Sequence, residues 1–313
     1  MFCPSSLGKV ALIGPGAVGG YYGGMLALSG IDLRFLMRST YEAVLSDGLW
    51  LVHHAEDGRR EPVDPLHAYS DPSSIGACDW IIIAGKTTAN DDIPELIRPL
   101  ISENTNFLTL QNGMGNVENI ARAYGEHRVI LAGLCFTCIN RTSPNVIESL
   151  LPGYVQFGRF GGTIDPASET MVRAFESAGV RCRRADSLDE ALWRKLCWNI
   201  PFNGLAIAGG GITTDLILAD PNLHLRAEKL MNEIQAGAKA CGILIEDSFL
   251  QRQFDLTEPM GAYKPSSLID FLARKPVEVE AIWGEPYRRG LSKGVGMPEL
   301  KTLLEELHSL TAA

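Results

Sequence analysis

The sequence predicts an α/β fold, with an N-terminal doubly wound sheet followed by an all-helical C-terminal domain. Two observations carry this. Residues 8–110 alternate short apolar strands with helical stretches, the pattern of parallel strands joined by crossover helices. Near Asp186 the strand signals stop and helical periodicity takes over. A chain of 313 residues is long enough to bury two cores. The domains are expected at residues 1–186 and 187–313, with the active cleft between them.

Taken in order, residues 9–13 read as the first strand and 17–29 as a helix stopped by Gly30, with a second strand over 32–37. Residues 53–74 are polar and variable and give no element. Buried strands follow over 79–84 and 106–110, and residues 114–124 read as a helix. Strand signals dominate 129–157, broken by turn residues at Ser143-Pro144-Asn145 and Pro152-Gly153. A helix over 170–178 and a short strand over 180–183 complete the first domain. Helices are then expected over 188–208, 221–241, 248–256, 269–273, 278–287 and 298–310. Asp220 before Pro221 makes an N-cap followed by a first-turn proline, and Gly242 supplies the stop.

Composition excludes several function classes. With 46% hydrophobic and 21% charged residues the chain reads as an ordinary globular protein. A net charge of -9 argues against a nucleic-acid surface. Residues 1–9 lack the basic start and apolar core of a signal peptide, and no apolar run approaches the roughly 20 residues that span a bilayer. No membrane association and a cytoplasmic location are expected. The seven cysteines fit no disulfide framework. Cys135-x-x-Cys138 falls in a strand rather than at a helix start, and no second Cys or His pair stands at zinc spacing, so no metal is expected.

Gly14-Pro15-Gly16-Ala17-Val18-Gly19 follows the first strand and opens the first helix, the context that gives a GxGxxG motif weight. Gly14 allows the tight turn, Gly16 lets backbone approach a pyrophosphate, and Gly19 permits close helix–strand packing above a helix N-terminus that faces the anion. The first domain is thus Rossmann-type, and Gly14, Pro15, Gly16, Ala17, Val18 and Gly19 are expected to bind a dinucleotide. NAD would favour an acidic residue at the end of the second strand. Met37-Arg38-Ser39-Thr40 stands there instead, and Asp32 lies at the strand's other end. A guanidinium and hydroxyls suit a 2'-phosphate, so NADP(H) is expected, with Arg38 binding it.

In residues 192–203, Lys195, Asn199 and Asn203 recur every fourth residue, which stacks them on one helix face. Leu192, Leu196 and Ile200 form the adjacent apolar stripe. An ammonium beside two carboxamides, with Trp193, Trp198 and Phe202 nearby, suits a sheltered ketone bearing a hydroxyl or carboxylate. The bland alternative is a solvated helix face.

This stretch resembles the W-x-K-L-x-x-N-x-x-x-N helix of the ketopantoate reductase family. Four further features are similar to that family and stand in its order: Gly85-Lys86, Gln111-Asn112-Gly113-Met114-Gly115, the pair Pro265 to Asp270 and Lys275 to Glu280, and Gly296-Met297-Pro298. The resemblance implies reduction of 2-dehydropantoate to (R)-pantoate, on the route to pantothenate and coenzyme A. It implies that Lys195 donates a proton to the ketone oxygen while NADPH delivers hydride. Glu278 would bond the substrate hydroxyl or the lysine, Asn199 and Asn203 would hold substrate oxygens, and Ser266 would bind the carboxylate. Asn112 would link cofactor ribose to Lys195, and Lys86 and Glu278 would lie near the cofactor.

Pro201 inside the catalytic helix removes a backbone donor and is expected to kink it. Thr213 stands where the family often has a further Asn. These departures concern the substrate more than the cofactor, so a reductase of another branched 2-oxo acid stays open. An NADP-binding sensor that has lost catalysis and a 3-hydroxyacid dehydrogenase stay open as well. Oligomeric state is not fixed by the sequence, a homodimer being one assembly it allows.

Overall fold

The computed structural model describes residues 3–312; residues 1, 2 and 313 of the two expected domains lie outside the described residues. The chain divides into two compact units. One runs up to Gln111 and continues over Asn116–Leu188, and the other comprises Asn112–Gly115 and the chain from Asp189 onward.

The first unit holds strands β1 (Val10–Ile13), β2 (Leu33–Leu36), β3 (Trp50–His53), β4 (Arg59–Pro62), β5 (His67–Tyr69), β6 (Trp80–Ile83), β7 (Asn106–Thr109), β8 (Ile130–Ser143), β9 (Val146–Arg159) and β10 (Cys182–Arg184). They form one sheet in the order β4-β3-β9-β8-β7-β6-β1-β2-β5, with β10 on β9. From β5 through β2, β1, β6 and β7 to β8 every pairing is parallel, whereas β8 and β9 form a long antiparallel hairpin. The six parallel strands have the Rossmann order, with the reversal of direction between β1 and β6. The sheet is therefore doubly wound at its centre and mixed at its β9 side. The central strands are apolar on both faces: Val10–Ile13 and Trp80–Ile83 are buried throughout, as a parallel sheet covered on both sides requires.

Helices α1 (Ala17–Leu28), α2 (Tyr41–Asp47), α3 (Ile93–Leu96), α4 (Asn116–Tyr124) and α5 (Pro166–Ser177) accompany this sheet. In α1 the glycine face lets the helix lie directly on β1, since a Cβ at Gly23 would stand 2.4 Å from a Leu12 methyl. α5 begins with Asp165 accepting from Ser168 N at 2.8 Å ahead of Pro166. The expected featureless stretch over 53–74 instead contains β4 and β5 and begins on the last residue of β3. His53 points into the core, 3% exposed, with its Nδ1 3.0 Å from the Tyr21 hydroxyl. β4 and β5 are short edge strands with no buried residue, so no apolar alternation marks them in the sequence.

The second unit is helical: α6 (Leu188–Ala208), α7 (Thr214–Ala219), α8 (Pro221–Ala240), α9 (Asp247–Thr257), α10 (Ser266–Leu272), α11 (Glu285–Ser292) and α12 (Pro298–Thr311). A π-helical turn, Glu280–Gly284, runs into α11. Asp220 caps α8 as expected, accepting from Asn222 N and Leu223 N. α7 was not expected: it is a single short helix entered through Thr213. Trp193 is 1% exposed and packs against Gly237 of α8, so it belongs to the core. Trp198 is fixed by Nε1 donating to Thr257 Oγ1 at 2.8 Å, with its ring 5.2 Å from that of Phe202. No helix among the described residues is long and apolar enough to cross a membrane.

Burial holds the His53 imidazole below its ordinary value, the approach of Arg59 adding to the effect. The folded chain thus binds this proton less readily than the unfolded chain does. Stability from this group is complete above the unfolded value of about 6.5 and is lost as pH falls through it. Urea unfolding at pH 7.5 and 5.5 should show a larger acid loss in the native chain than in His53→Gln, whose side chain does not titrate.

Candidate active site

In the α/β unit the expected cofactor residues gather at the C-terminal ends of the central strands, the edge where open α/β sheets bind ligands. Gly14 follows β1, Gly85 and Lys86 follow β6, and Arg38 lies just past β2. Gly14 has φ +67°, and a Cβ on it would stand 2.6 Å from the Gly85 backbone, so conformation and space both demand glycine. A Cβ on Gly19 would stand 2.4 Å from that of Ala84. Gly16 is the N-cap of α1 and supplies no side-chain cap, and the first turn carries no acidic residue. A Cβ on Gly16 would meet no protein atom closer than 3.9 Å. The turn therefore presents uncapped N–H groups of Ala17 and Val18 beside open space, which fits a pyrophosphate.

Arg38 is exposed, whereas Asp32 is occupied at the opposite end of β2 by Arg34, Nε to Oδ1 2.6 Å. Lys86 is half-buried and precedes a short 3-10 turn, Thr87–Ala89. That loop is held by amides the sequence reading missed. Gln111 Nε2 donates to Gly85 O at 2.9 Å and to Asn90 Oδ1 at 2.7 Å, and Asn90 Nδ2 donates to Asn116 Oδ1 at 3.0 Å. Single amides carry no sequence signal that distinguishes such a network from solvated turn residues.

In the helical unit Lys195 is half-buried on α6, and its Nζ donates to Asn112 Oδ1 at 3.0 Å. The two residues lie 83 positions apart in sequence. The segment carrying Asn112 is clamped by the π-helical turn, as Met114 N donates to Ala281 O at 2.8 Å. Gly113, at φ +82°, lies so close that a Cβ would stand 2.3 Å from Ala281 O. A π-turn shifts its backbone bonds out of the α register, which is why such turns recur at functional sites. Trp283 in the same turn donates from Nε1 to Ile200 O at 3.0 Å, tying it to α6. Glu278, immediately ahead of this turn, is 5% exposed.

The helix carrying Pro201 runs from Leu188 to Ala208, with the proline buried inside it. Asn199 is half-buried, and among the described residues no hydrogen bond engages its carboxamide. Asn203, expected to bind substrate, is 2% exposed and its carboxamide is taken up internally. Oδ1 accepts from Ser267 N at 2.9 Å, and Nδ2 donates to Asn199 O at 3.1 Å. Asn203 therefore satisfies an orphan N–H at the start of α10, where Ser266 is exposed. Thr213 Oγ1 donates to Asp215 and enters α7.

An α/β unit with a dinucleotide turn at its strand ends, followed in the chain by a helical unit that holds a half-buried lysine–amide pair, defines a two-domain nucleotide-binding protein. Residues 10–162 match the family described as Ketopantoate reductase PanE/ApbA, and residues 187–311 match its C-terminal counterpart. The chain belongs to this family. It is 36% identical over 307 residues to a 2-dehydropantoate 2-reductase of Nostoc sp., covering 96% of this chain and 95% of the relative. The crystal structure of a 2-dehydropantoate 2-reductase from Geobacter metallireducens superposes with a TM-score of 0.91 at 38% identity, covering 96% of this chain and 99% of that one. A D-mandelate dehydrogenase determined with NADH and anilino(oxo)acetate superposes at TM-score 0.87 with 21% identity, covering 97% and 98%, and shares the fold.

Gly113→Ala should destabilise the helical unit by more than the ~1–3 kcal/mol of a left-handed non-glycine residue, because its Cβ also meets Ala281 O at 2.3 Å. Gly58→Ala, at φ +72° with nothing within 4 Å, isolates the conformational part. Denaturant unfolding of the two variants measures the difference.

Proposed function

We propose that this chain reduces the ketone of 2-dehydropantoate to (R)-pantoate with NADPH. Membership of the family and 36% identity to a 2-dehydropantoate 2-reductase over nearly the whole chain support this reading. The observation that carries the residue roles is the bond between Lys195 and Asn112. NADPH, when bound, supplies the hydride for the ketone carbon.

Lys195 holds a proton at Nζ and gives it to the ketone oxygen as negative charge builds there. An ammonium has three donors, and the one given to Asn112 helps to fix its direction. Asn112 orients the lysine, and Glu278, buried next to the π-turn, bonds the substrate hydroxyl or the lysine. Asn199 offers an uncommitted carboxamide to substrate oxygens, and Ser266 receives the carboxylate. Asn203 acts by holding the helix that carries Ser266. Gly14 to Gly19 bind the pyrophosphate, Lys86 lies by the cofactor, and Arg38 binds the 2'-phosphate.

NADPH oxidation followed with 2-dehydropantoate tests the assignment. The native chain should turn over this substrate faster than other branched 2-oxo acids. Lys195→Ala should lower kcat by about 10²–10⁴, the usual contribution of a positioned proton donor. A preference for another 2-oxo acid would move the substrate assignment, and NADPH binding without any turnover would return the sensor reading. Arg38→Ala should raise KM for NADPH about tenfold or more, since a hydrogen bond to a charged group contributes ~1.5–3 kcal/mol. KM for NADH should stay within about twofold, because that cofactor has no 2'-phosphate.

A further inference from the structure

Arg141 on β8 reaches under the glycine turn. Its Nη2 donates to Pro15 O and, at 3.3 Å, to Gly16 O, and its Nη1 donates to Pro144 O. Among the described residues no carboxylate pairs with it, and its guanidinium is held by these three backbone carbonyls. Loss of hydration pushes the guanidinium down to about 10, so it stays charged at neutral pH. A half-buried cation without a counter-anion is costly to keep, and a bound phosphate would compensate it. Gly20 makes room for it: a Cβ there would stand 3.0 Å from Arg141 Nη2 and 2.3 Å from an Ile147 methyl.

The two carbonyls matter because peptide groups are planar. In a trans peptide C=O and N–H point in opposite directions. A Gly16 carbonyl drawn to Arg141 and to Gly20 N, 3.1 Å away, turns the Ala17 N–H the other way, toward an anion above the turn. Were this peptide to flip, the turn would present an oxygen to the pyrophosphate instead of a donor. We propose that Arg141 is a positioning residue of the cofactor site, locking the Gly14-Pro15-Gly16 turn in its anion-binding form and supplying the positive charge that the cofactor pyrophosphate neutralises. This rests on the cofactor reading given above.

Isothermal titration of the full chain with NADPH and with adenosine 2'-monophosphate, which lacks the pyrophosphate, separates the possibilities. Arg141→Met should weaken NADPH at least tenfold while adenosine 2'-monophosphate stays within twofold, and Arg141→Lys should recover part of the loss. Melting of the unliganded variants checks that they are folded. Arg141→Met binding NADPH within twofold of the native chain overturns the proposal, as does equal weakening of both ligands, which marks a general structural role. A native chain that binds neither NADPH nor NADH overturns the cofactor reading itself.

Discussion

The 3.0 Å bond from Lys195 to Asn112 is the interaction on which the chemistry proposed for the helical unit depends. A lysine on a flexible four-carbon stem is a poor proton donor unless something aims it. In the proposed mechanism Asn112 aims it, and the backbone beside Asn112 is itself held. Met114 N and Gly113 lie against Ala281 O, and the π-turn containing Ala281 is tied to α6 through Trp283. The lysine's own helix thus supports the segment that directs the lysine, a closed mechanical loop built from one side-chain bond, one backbone bond and one indole. Glu278 sits at the entrance to the same turn, so a single local distortion of helix geometry serves two groups.

The α/β unit follows a simpler constraint. Its central strands end at one edge, and glycine appears where backbones must nearly touch, as between Gly14 and Gly85. The carbonyls of the turn face Arg141, leaving the amides of the first helical turn uncapped. In the proposed cofactor site, anion affinity comes from backbone direction, with side chains acting mainly by holding that direction.

Much of this was legible in the sequence because it is periodic or sterically absolute. The four-residue spacing of Lys195, Asn199 and Asn203 placed them on one helix, and the residue limits of α6 agree with that reading. GxGxxG after an apolar strand located the turn, and Arg38 at the end of β2 was visible from position alone. What stayed hidden depends on tertiary contact. The engagement of Asn203 with Ser267 joins residues 64 apart, and Arg141 meets Gly16 across 125 positions. Short edge strands at residues 59–62 and 67–69 bury no side chain and so do not stand out from loop, and a π-turn has no composition of its own. Pro201 does not end α6, which runs on to Ala208 with the proline buried inside it.

The most direct test is a double-mutant cycle on kcat with Lys195→Ala, Asn112→Ala and the double variant, using NADPH and 2-dehydropantoate. If Asn112 works by directing Lys195, its loss costs activity in the native background and almost nothing once the lysine is gone, so the double variant equals Lys195→Ala. Independent, multiplying losses would contradict this and give Asn112 a role separate from the proton donor.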